Sequence, residues 1–506
     1  MFTLVDKFIN RFSMYKLVLY ILGTYTGLAV LFGFTGTVQF SGTSLLASAA
    51  ILLTSCYVAN QLFAKLYGAV TNSESAITTA LILFCIFLPP RTALDALILA
   101  ILGVIAMATK YIVAWRARHI FNPAALAAFI VGLLGLAHAG WWVATSVMLP
   151  FVAIGGLIML RKLRRFHLFF SFLVPAVAGI LLLNMGDRDL TGASIDAFVS
   201  FPVMFLGTIM LTEPLTTPPR KHLRIVYGVL VGLLVGFAPR LHAGGIFMAP
   251  ELALLLGNIF AYTTVLRKRL PLRLVSRREI GPGIFDLRFT SRYPFHFTPG
   301  QYMDVTLPAG ALDIQGNRRT FSIASAPSES ETGFGVRILQ PASGFKTRLL
   351  AMQPGDHMYG VQVAGDFVLP KDPSRKLVFI AGGIGITPFR SMLQHVASIG
   401  QQRDIVLLYQ VTAPDQAVYR DVLARAHEAG LHTIYILAGK PEAVPKGWQG
   451  ETGFITADML ARKVPDFKER MFYISGPPAM VDNYKALLRR TGIARRRIVT
   501  DHFSGY

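Results

Sequence analysis

Repeated apolar runs fill residues 16–266, and they constrain this chain more than any other feature. Each run approaches the ~20 residues that an α-helix needs to cross a bilayer core. They lie near 16–34, 43–64, 75–89, 92–109, 122–137, 142–160, 167–184, 198–212, 223–239 and 245–265. The expectation is a polytopic α-helical membrane domain over residues 1–266 with about ten spans. After Arg267 the pattern changes to short strand-like runs, glycine and proline turns and mixed charge. With 53% hydrophobic and 15% charged residues, the 506-residue chain is too apolar for an ordinary soluble protein, and it is long enough for at least two domains.

Charge sorts with the runs. Residues 1–273 hold 21 Lys and Arg against 8 Asp and Glu, and the remainder holds 28 against 20. The basic residues of the first part flank apolar runs as membrane anchors do, so a lipid bilayer rather than nucleic acid is the expected partner. With the N-terminus in the cytoplasm, Lys65, Lys110, Arg116, Arg161, Lys162, Arg220, Lys221 and Arg267 all fall inside, and only Arg91, Arg188 and Arg240 fall outside. Lys and Arg set orientation, so both termini are expected in the cytoplasm of a multi-pass cell-membrane protein. The opening MFTLVDKFINRFS has the look of an interfacial, uncleaved anchor. Cys56 and Cys85 cannot supply a four-thiolate cluster and suit buried small apolar positions. No metal site is expected. His119, His138, His167, His222 and His242 fall at run ends or in loops, with no two on one run, which argues against paired haems.

An internal echo is visible in the first half. IFNPAALA (120–127) resembles IFMAPELA (246–253), and LPPR (88–91) resembles TPPR (217–220), at offsets of 126 and 129 residues. Two five-span copies would be inverted, because an odd number of spans reverses the second. SESAITTALILFCIFLPP (73–90), RHIFNPAALAAFIVGLL (118–134) and MLTEPLTTPPR (210–220) resemble the membrane subunits B and D of the sodium-translocating NADH:quinone oxidoreductase and Rnf complexes. That resemblance implies two repeats, a flavin in the membrane, and FMN joined through its phosphate to the last residue of an SGAT-like motif. Thr191-Gly192-Ala193-Ser194 matches the motif, with Ser194 as the candidate acceptor, although Arg188 stands where the family carries an acid. Without that attachment, the same residues suit a helix N-cap.

Residues 267–370 carry LRLVSRREI, IFDLRFTS, QYMDVTL, RTFSIAS, GFGVRIL and HMYGVQVA, broken only by the helical SGFKTRLLAM. The expectation is a small antiparallel β-barrel. Residues 371–506 alternate strand and helix, as a parallel sheet covered on both faces does. Between KLVFIA and a helix, Gly382, Gly383 and Gly385 let the backbone approach a pyrophosphate, and Thr387 and Pro388 start the helix. A second sharp turn, SGPP (475–478), follows MFYI. Arg319 would stand beside a phosphate, Phe321 would lie on a flat ring, and Ser322 would reach a ring nitrogen.

In this order and spacing the motifs resemble the ferredoxin–NADP reductase superfamily. The resemblance implies FAD binding by Arg319, Thr320, Phe321 and Ser322, with Gly344 and Thr347 on the flavin-pyrophosphate helix. It implies pyridine-nucleotide binding by Gly382, Gly383, Gly385, Thr387 and Pro388, with Gly476 and Pro477 beside the nicotinamide. Ser322 and Ser475 are the candidate groups at the reacting rings, and Tyr506 is the candidate cover for the flavin's other face. Phe321 replaces the family's Tyr and Ser475 its frequent Cys. After DIVLLYQ, Thr412 and Asp415 offer no cation for a 2′-phosphate, which favours NADH over NADPH. The expected function is electron passage from cytoplasmic NAD(P)H through FAD to a membrane flavin, and on to a quinone or an extracytoplasmic flavoprotein. The alternatives are a transporter-like membrane domain regulated by a redox-sensing reductase, and a haem-type metalloreductase.

Overall fold

The structure is a computed structural model that describes residues 9, 12, 14–67, 73–115, 118–184, 198, 202–243, 246–264, 270–308, 318–339, 342–438, 444 and 447–501. The chain divides into two compact units, Met1–Lys268 and Arg269–Phe503. The barrel and nucleotide-binding regions share the second.

The first unit is helical. Among the described residues, Met14–Phe34, Gly42–Leu66, Ala93–Ile112 and Phe166–Leu183 are long and apolar enough to cross a membrane. The helix ends follow local chemistry. Thr92 and Asp95 form a reciprocal capping box that starts Ala93–Ile112. Asn122 accepts from the amides of Ala124 and Ala125, both at 3.1 Å, and Pro123 opens the helix behind it.

By length and composition, four of the ten expected spans form membrane-crossing helices among the described residues. The remaining runs form the shorter helices Ser73–Ile86, Pro123–Leu133, Leu149–Leu163, Lys221–Gly236 and Pro250–Thr263, and Val203–Phe205 leads into a π-helical turn, Leu206–Met210. Apolar letters alone do not separate helix from packed turn. The run at 142–160 begins with a 3₁₀ turn, Trp142–Ala144, and its helix starts only at Leu149. The run at 122–137 ends early, with Gly135 at φ +66°.

The second unit holds two six-stranded sheets. The first contains β1 (Leu270–Gly281), β2 (Ile284–Ser291), β3 (Tyr302–Thr306), β4 (Arg318–Ser322), β5 (Thr332–Arg337) and β6 (His357–Ala364), in the order β4-β3-β6-β1-β2-β5. Every pairing in it is antiparallel. The edge strands β4 and β5 meet through Phe321 and Phe334, whose ring centroids are 6.2 Å apart, so the sheet curls toward a barrel. The second sheet contains β7 (Leu377–Gly382), β8 (Ile405–Val411), β9 (Leu431–Leu437), β10 (Glu451–Thr452), β11 (Met471–Ser475) and β12 (Ile498–Thr500), in the order β10-β9-β8-β7-β11-β12. Its ladders are all parallel. The central strands β7 and β8 are buried at every residue, as the apolar runs LVFIAG and IVLLYQV require when helices cover both faces.

Candidate nucleotide and flavin site

The carboxyl ends of β7 and β11 carry the two sharp turns. Their register pairs Ala381 with Ser475, which brings the turns side by side. Gly383 adopts φ +53°, a conformation that side chains disfavour, and the 3₁₀ turn Gly383–Ile386 then runs into the helix Thr387–Ser398. Pro388 sits in its first turn, where a missing N–H loses no bond. Thr387 Oγ1 donates to the Ile384 carbonyl at 3.0 Å, which ties the turn to the helix start.

The antiparallel sheet faces these turns with β4 and β5. The result is one cavity of ≈ 520 Å³, within the usual range for a small-molecule site. Of the sequence-derived candidates, Thr320, Phe321, Ser322, Gly382, Gly383, Gly385, Thr387, Ser475, Gly476 and Pro477 line it. Arg319, Gly344, Thr347 and Pro388 stand outside that lining. Arg319 is buried, with its guanidinium 4.9 Å from the centre of the Phe345 ring and Nη1 donating to the Arg318 carbonyl at 2.7 Å. Thr347 is exposed and donates to the Ser343 carbonyl at 3.2 Å. Pro388 is buried in its helix. Ser194 and Tyr506 lie outside the described residues.

The structure adds residues that the sequence reading missed. Arg337, at the end of β5, lines the cavity. Its Nη2 donates to Gln416 Oε1 at 3.3 Å, and its Nη1 lies 3.5 Å from where a Cβ on Gly383 would stand. Its Nε is buried without a hydrogen-bond partner among the described residues. Lys346 also lines the cavity, and its Nζ donates to the Arg337 carbonyl at 2.7 Å. Burial, and then the neighbouring Arg319 cation, lower the Lys346 pKa below the usual lysine value. Two cations beside a glycine turn, one with an unsatisfied donor, suit an anionic ligand. On the other side, Ser475 is 3% exposed, and its Oγ donates to Asp501 Oδ2 at 3.1 Å. The available signals were weak: a cation closing the apolar GFGV run, and an acid after IVT. Among the described residues, no group of three or more His, Cys, Asp or Glu is arranged to hold a metal.

Comparison with known proteins bears on the second unit. Residues 379–486 match the family described as the oxidoreductase NAD-binding domain. The stachydrine N-demethylase reductase subunit of Rhizobium meliloti is 26% identical over 239 residues, 46% of this chain and 66% of that protein. The ferredoxin–NADP reductase B of Sorangium cellulosum is 28% identical over 213 residues, 41% of this chain and 82% of that protein. The chain spans 66% of the first of these curated relatives and 56% of the propane 2-monooxygenase reductase component of Rhodococcus jostii. Among solved structures, a ferredoxin NADP+ reductase from Neisseria gonorrhoeae with bound FAD and NADP aligns with TM-score 0.39 and 21% identity, over 46% of this chain and 97% of that one. The C-terminal part of this chain therefore resembles the NAD(P)H-dependent flavin oxidoreductases of ferredoxin reductase type, with residues 379–486 matching their NAD-binding domain.

Proposed function

We propose that this chain is a membrane-bound oxidoreductase that takes electrons from NADH, with NADPH second, and delivers them to an acceptor reached through its membrane half. One observation carries the reading: a flavin-type strand, a glycine turn and the Ser475–Pro477 turn line a single cavity. The residues fit the expected groups. Thr320, Phe321, Ser322 and Lys346 would hold FAD. Gly382, Gly383, Gly385, Thr387, Arg337 and Gln416 would hold the pyridine nucleotide, with the Arg337 guanidinium supplying a cation for its phosphates. When bound, FAD supplies an acceptor for two electrons that also releases them singly. Phe321 would give one ring a flat apolar face, and Ser475, its hydroxyl engaged by Asp501, would border the nicotinamide. Thr412 is occupied by Gln416, 2.7 Å away, and with Asp415 nearby it supports NADH.

The domain division in this reading is 1–266, 267–370 and 371–506. Its membrane half has ten crossings in two inverted five-span repeats, with both termini cytoplasmic. Two features support this. Leu62, Leu94, Val174 and Leu182 point outward from the long apolar helices. Each echo motif also pairs a two-residue antiparallel ladder with a proline-started helix: Ala114 with His119 and Trp115 with Arg118 before Pro123–Leu133, and His242 with Phe247 and Ala243 with Ile246 before Pro250–Thr263. A membrane FMN, covalent at Ser194 or non-covalent, would be the intermediate carrier, and a quinone or an extracytoplasmic flavoprotein the acceptor. The transporter alternative draws on two carboxylates, Glu251 buried and Glu213 half-buried. Glu213 accepts from Asn122 at 2.8 Å, and Glu251 accepts from Trp141 at 3.2 Å. That alternative predicts redox-dependent flux.

The test uses the full chain purified in mild detergent and titrated anaerobically with NADH. The expected result is FAD bleaching followed by reduction of a second flavin. Flavin fluorescence should stay with the chain in denaturing electrophoresis and disappear in Ser194→Ala. Bleaching of FAD with no second redox centre in the preparation would refute the membrane route.

A further inference from the structure

Behind the cavity, a polar network joins the two sheets of the second unit, and the binding roles proposed above do not use it. Tyr419 Oη donates to Asp286 Oδ1 at 2.8 Å. The other oxygen of Asp286, on β2, accepts from Arg288 Nε at 2.6 Å. Arg288 reaches Glu329 at 3.1 Å. Glu329 also accepts from both terminal nitrogens of Arg390, at the front of the Thr387–Ser398 helix, and from the Ala326 amide at 2.6 Å. Arg390 donates to the Ala324 carbonyl at 3.0 Å, and its guanidinium lies 5.6 Å from the centre of the Tyr419 ring. The parallel layer, through Tyr419 and Arg390, thus grips the antiparallel layer at Asp286, Ala324 and Glu329.

Two further facts direct this grip at the cavity. Tyr419 is 8% exposed and adopts φ +60°, ψ 28°, a left-handed conformation rare for a residue with a side chain. Such an outlier points toward a role for the position that imposes it. Gly335 on β5 packs so closely that a Cβ there would lie 2.5 Å from Thr387 Cγ2 and 2.7 Å from Tyr419 Oη. Gly335 and Thr387 both line the cavity. The network therefore acts where the flavin-side wall meets the start of the nucleotide helix.

We propose that Tyr419 is a positioning residue for hydride transfer: its bond to Asp286 sets the gap between β5 and the Thr387–Ser398 helix, and so the spacing of the two rings. This rests on the NAD(P)H–flavin reading above. In that reaction a hydride, one proton with two electrons, leaves nicotinamide C4 as its C–H bond breaks. It forms an N–H bond at flavin N5. The nicotinamide is oxidised, the flavin is reduced, and a solvent proton balances the added charge. Tyr419 stands outside the cavity lining. Transfer requires reacting atoms about 3–3.5 Å apart, and a displacement of about 1 Å can slow it on the order of 100-fold.

Tyr419→Phe tests this in the full-length, FAD-loaded chain by stopped flow with NADH and C4-deuterated NADH. The limiting rate of flavin bleaching should fall about tenfold or more, while the half-saturating NADH concentration changes less than about twofold. The second measurement needs no flavin: amide exchange over 332–337 and 387–390 in the flavin-free chain should accelerate. Gly335→Ala, which wedges the same gap from the other wall, should share both signatures. A Tyr419→Phe chain with the wild-type limiting rate, or with slower bleaching and unchanged exchange in both segments, overturns the positioning role. A wild-type chain inert toward both NADH and NADPH overturns the reaction itself.

Discussion

Gly385→Ala probes the meeting of the two turns most directly. A methyl there would stand 2.6 Å from the Ser475 carbonyl carbon and 2.7 Å from Gly476 Cα, and the Ser475 oxygen is closer still. All of these are backbone atoms, so no side chain can rotate away. The glycine turn would have to move off the Ser475–Pro477 turn by about an ångström to restore ordinary contact. Overpacking of this kind costs about 1–3 kcal/mol, and at roughly 2–4 °C per kcal/mol the second unit should melt about 2–12 °C lower. Function should suffer more than stability, because the same displacement opens the nucleotide side of the cavity and slows hydride transfer on the order of 100-fold. FAD content should stay near the wild-type value, since Thr320, Phe321 and Ser322 on β4 are untouched. Flavin-fluorescence melting, bound-FAD analysis and stopped-flow bleaching with NADH read the three quantities separately. Wild-type melting together with wild-type NADH kinetics would refute the idea that the site requires these backbones to touch.

Other expectations follow from single contacts. Arg337→Gln should weaken NADH binding about tenfold or more, the ~1.5 kcal/mol of one charge-assisted bond, without loss of FAD; equilibrium titration checks this. Phe321→Ala removes a ring that packs 6.1 Å from Phe345 and borders the cavity, so the purified chain should retain much less FAD, measured after heat release. Glu329 gives a pH signature. Burial pushes its pKa up, but Arg390, the Ala326 amide and Arg288 outweigh burial and hold it below the usual glutamate value. A lowered folded pKa means that the stabilisation is present above the unfolded value of about 4.3 and is lost as pH falls through the folded value. Melting of the second unit should therefore drop steeply below about pH 4, and Glu329→Gln should flatten that slope.

Much of the second unit was readable because its cues are local. LVFIAG followed by glycines and Thr-Pro encodes strand, turn and helix within one stretch, and backbone sterics leave little choice. The alternating short strands likewise announced the antiparallel sheet. Arg337 and Asp501 escaped notice because their value comes from neighbours far along the chain: Gln416 and Gly383 for Arg337, and Ser475 for Asp501. Thr347 was drawn to the site by motif analogy, yet its hydroxyl bonds to Ser343 within its own helical turn. The neighbouring Lys346 lines the cavity instead. Spacing in a motif marks a helix; which of its faces meets the cavity is decided by packing.

The first unit was harder to read for a related reason, and one substitution tests it. Its polar groups look in sequence like interruptions of apolar runs, but the structure pairs them over long distances. The Asn122 amide donates to Asn258 Oδ1 at 2.9 Å across 136 residues, and Asn258 Nδ2 donates to the Tyr227 hydroxyl at 3.2 Å. Asn258 is fully buried. These bonds pin the start of one proline-led helix to the middle of another. Asn258→Leu replaces the amide with a larger apolar side chain and improves the hydropathy of its run. By hydropathy alone it should be neutral or stabilising. By the pairing argument it strands the Asn122 N–H, for a penalty of about 1–3 kcal/mol, and leaves Tyr227 without its partner. Thermal melting of the detergent-solubilised chain should therefore fall, while NADH-driven bleaching of FAD in the second unit stays unchanged. A melting temperature equal to or above the wild type would show that the run's apolar character, and not this buried amide, holds the helices together.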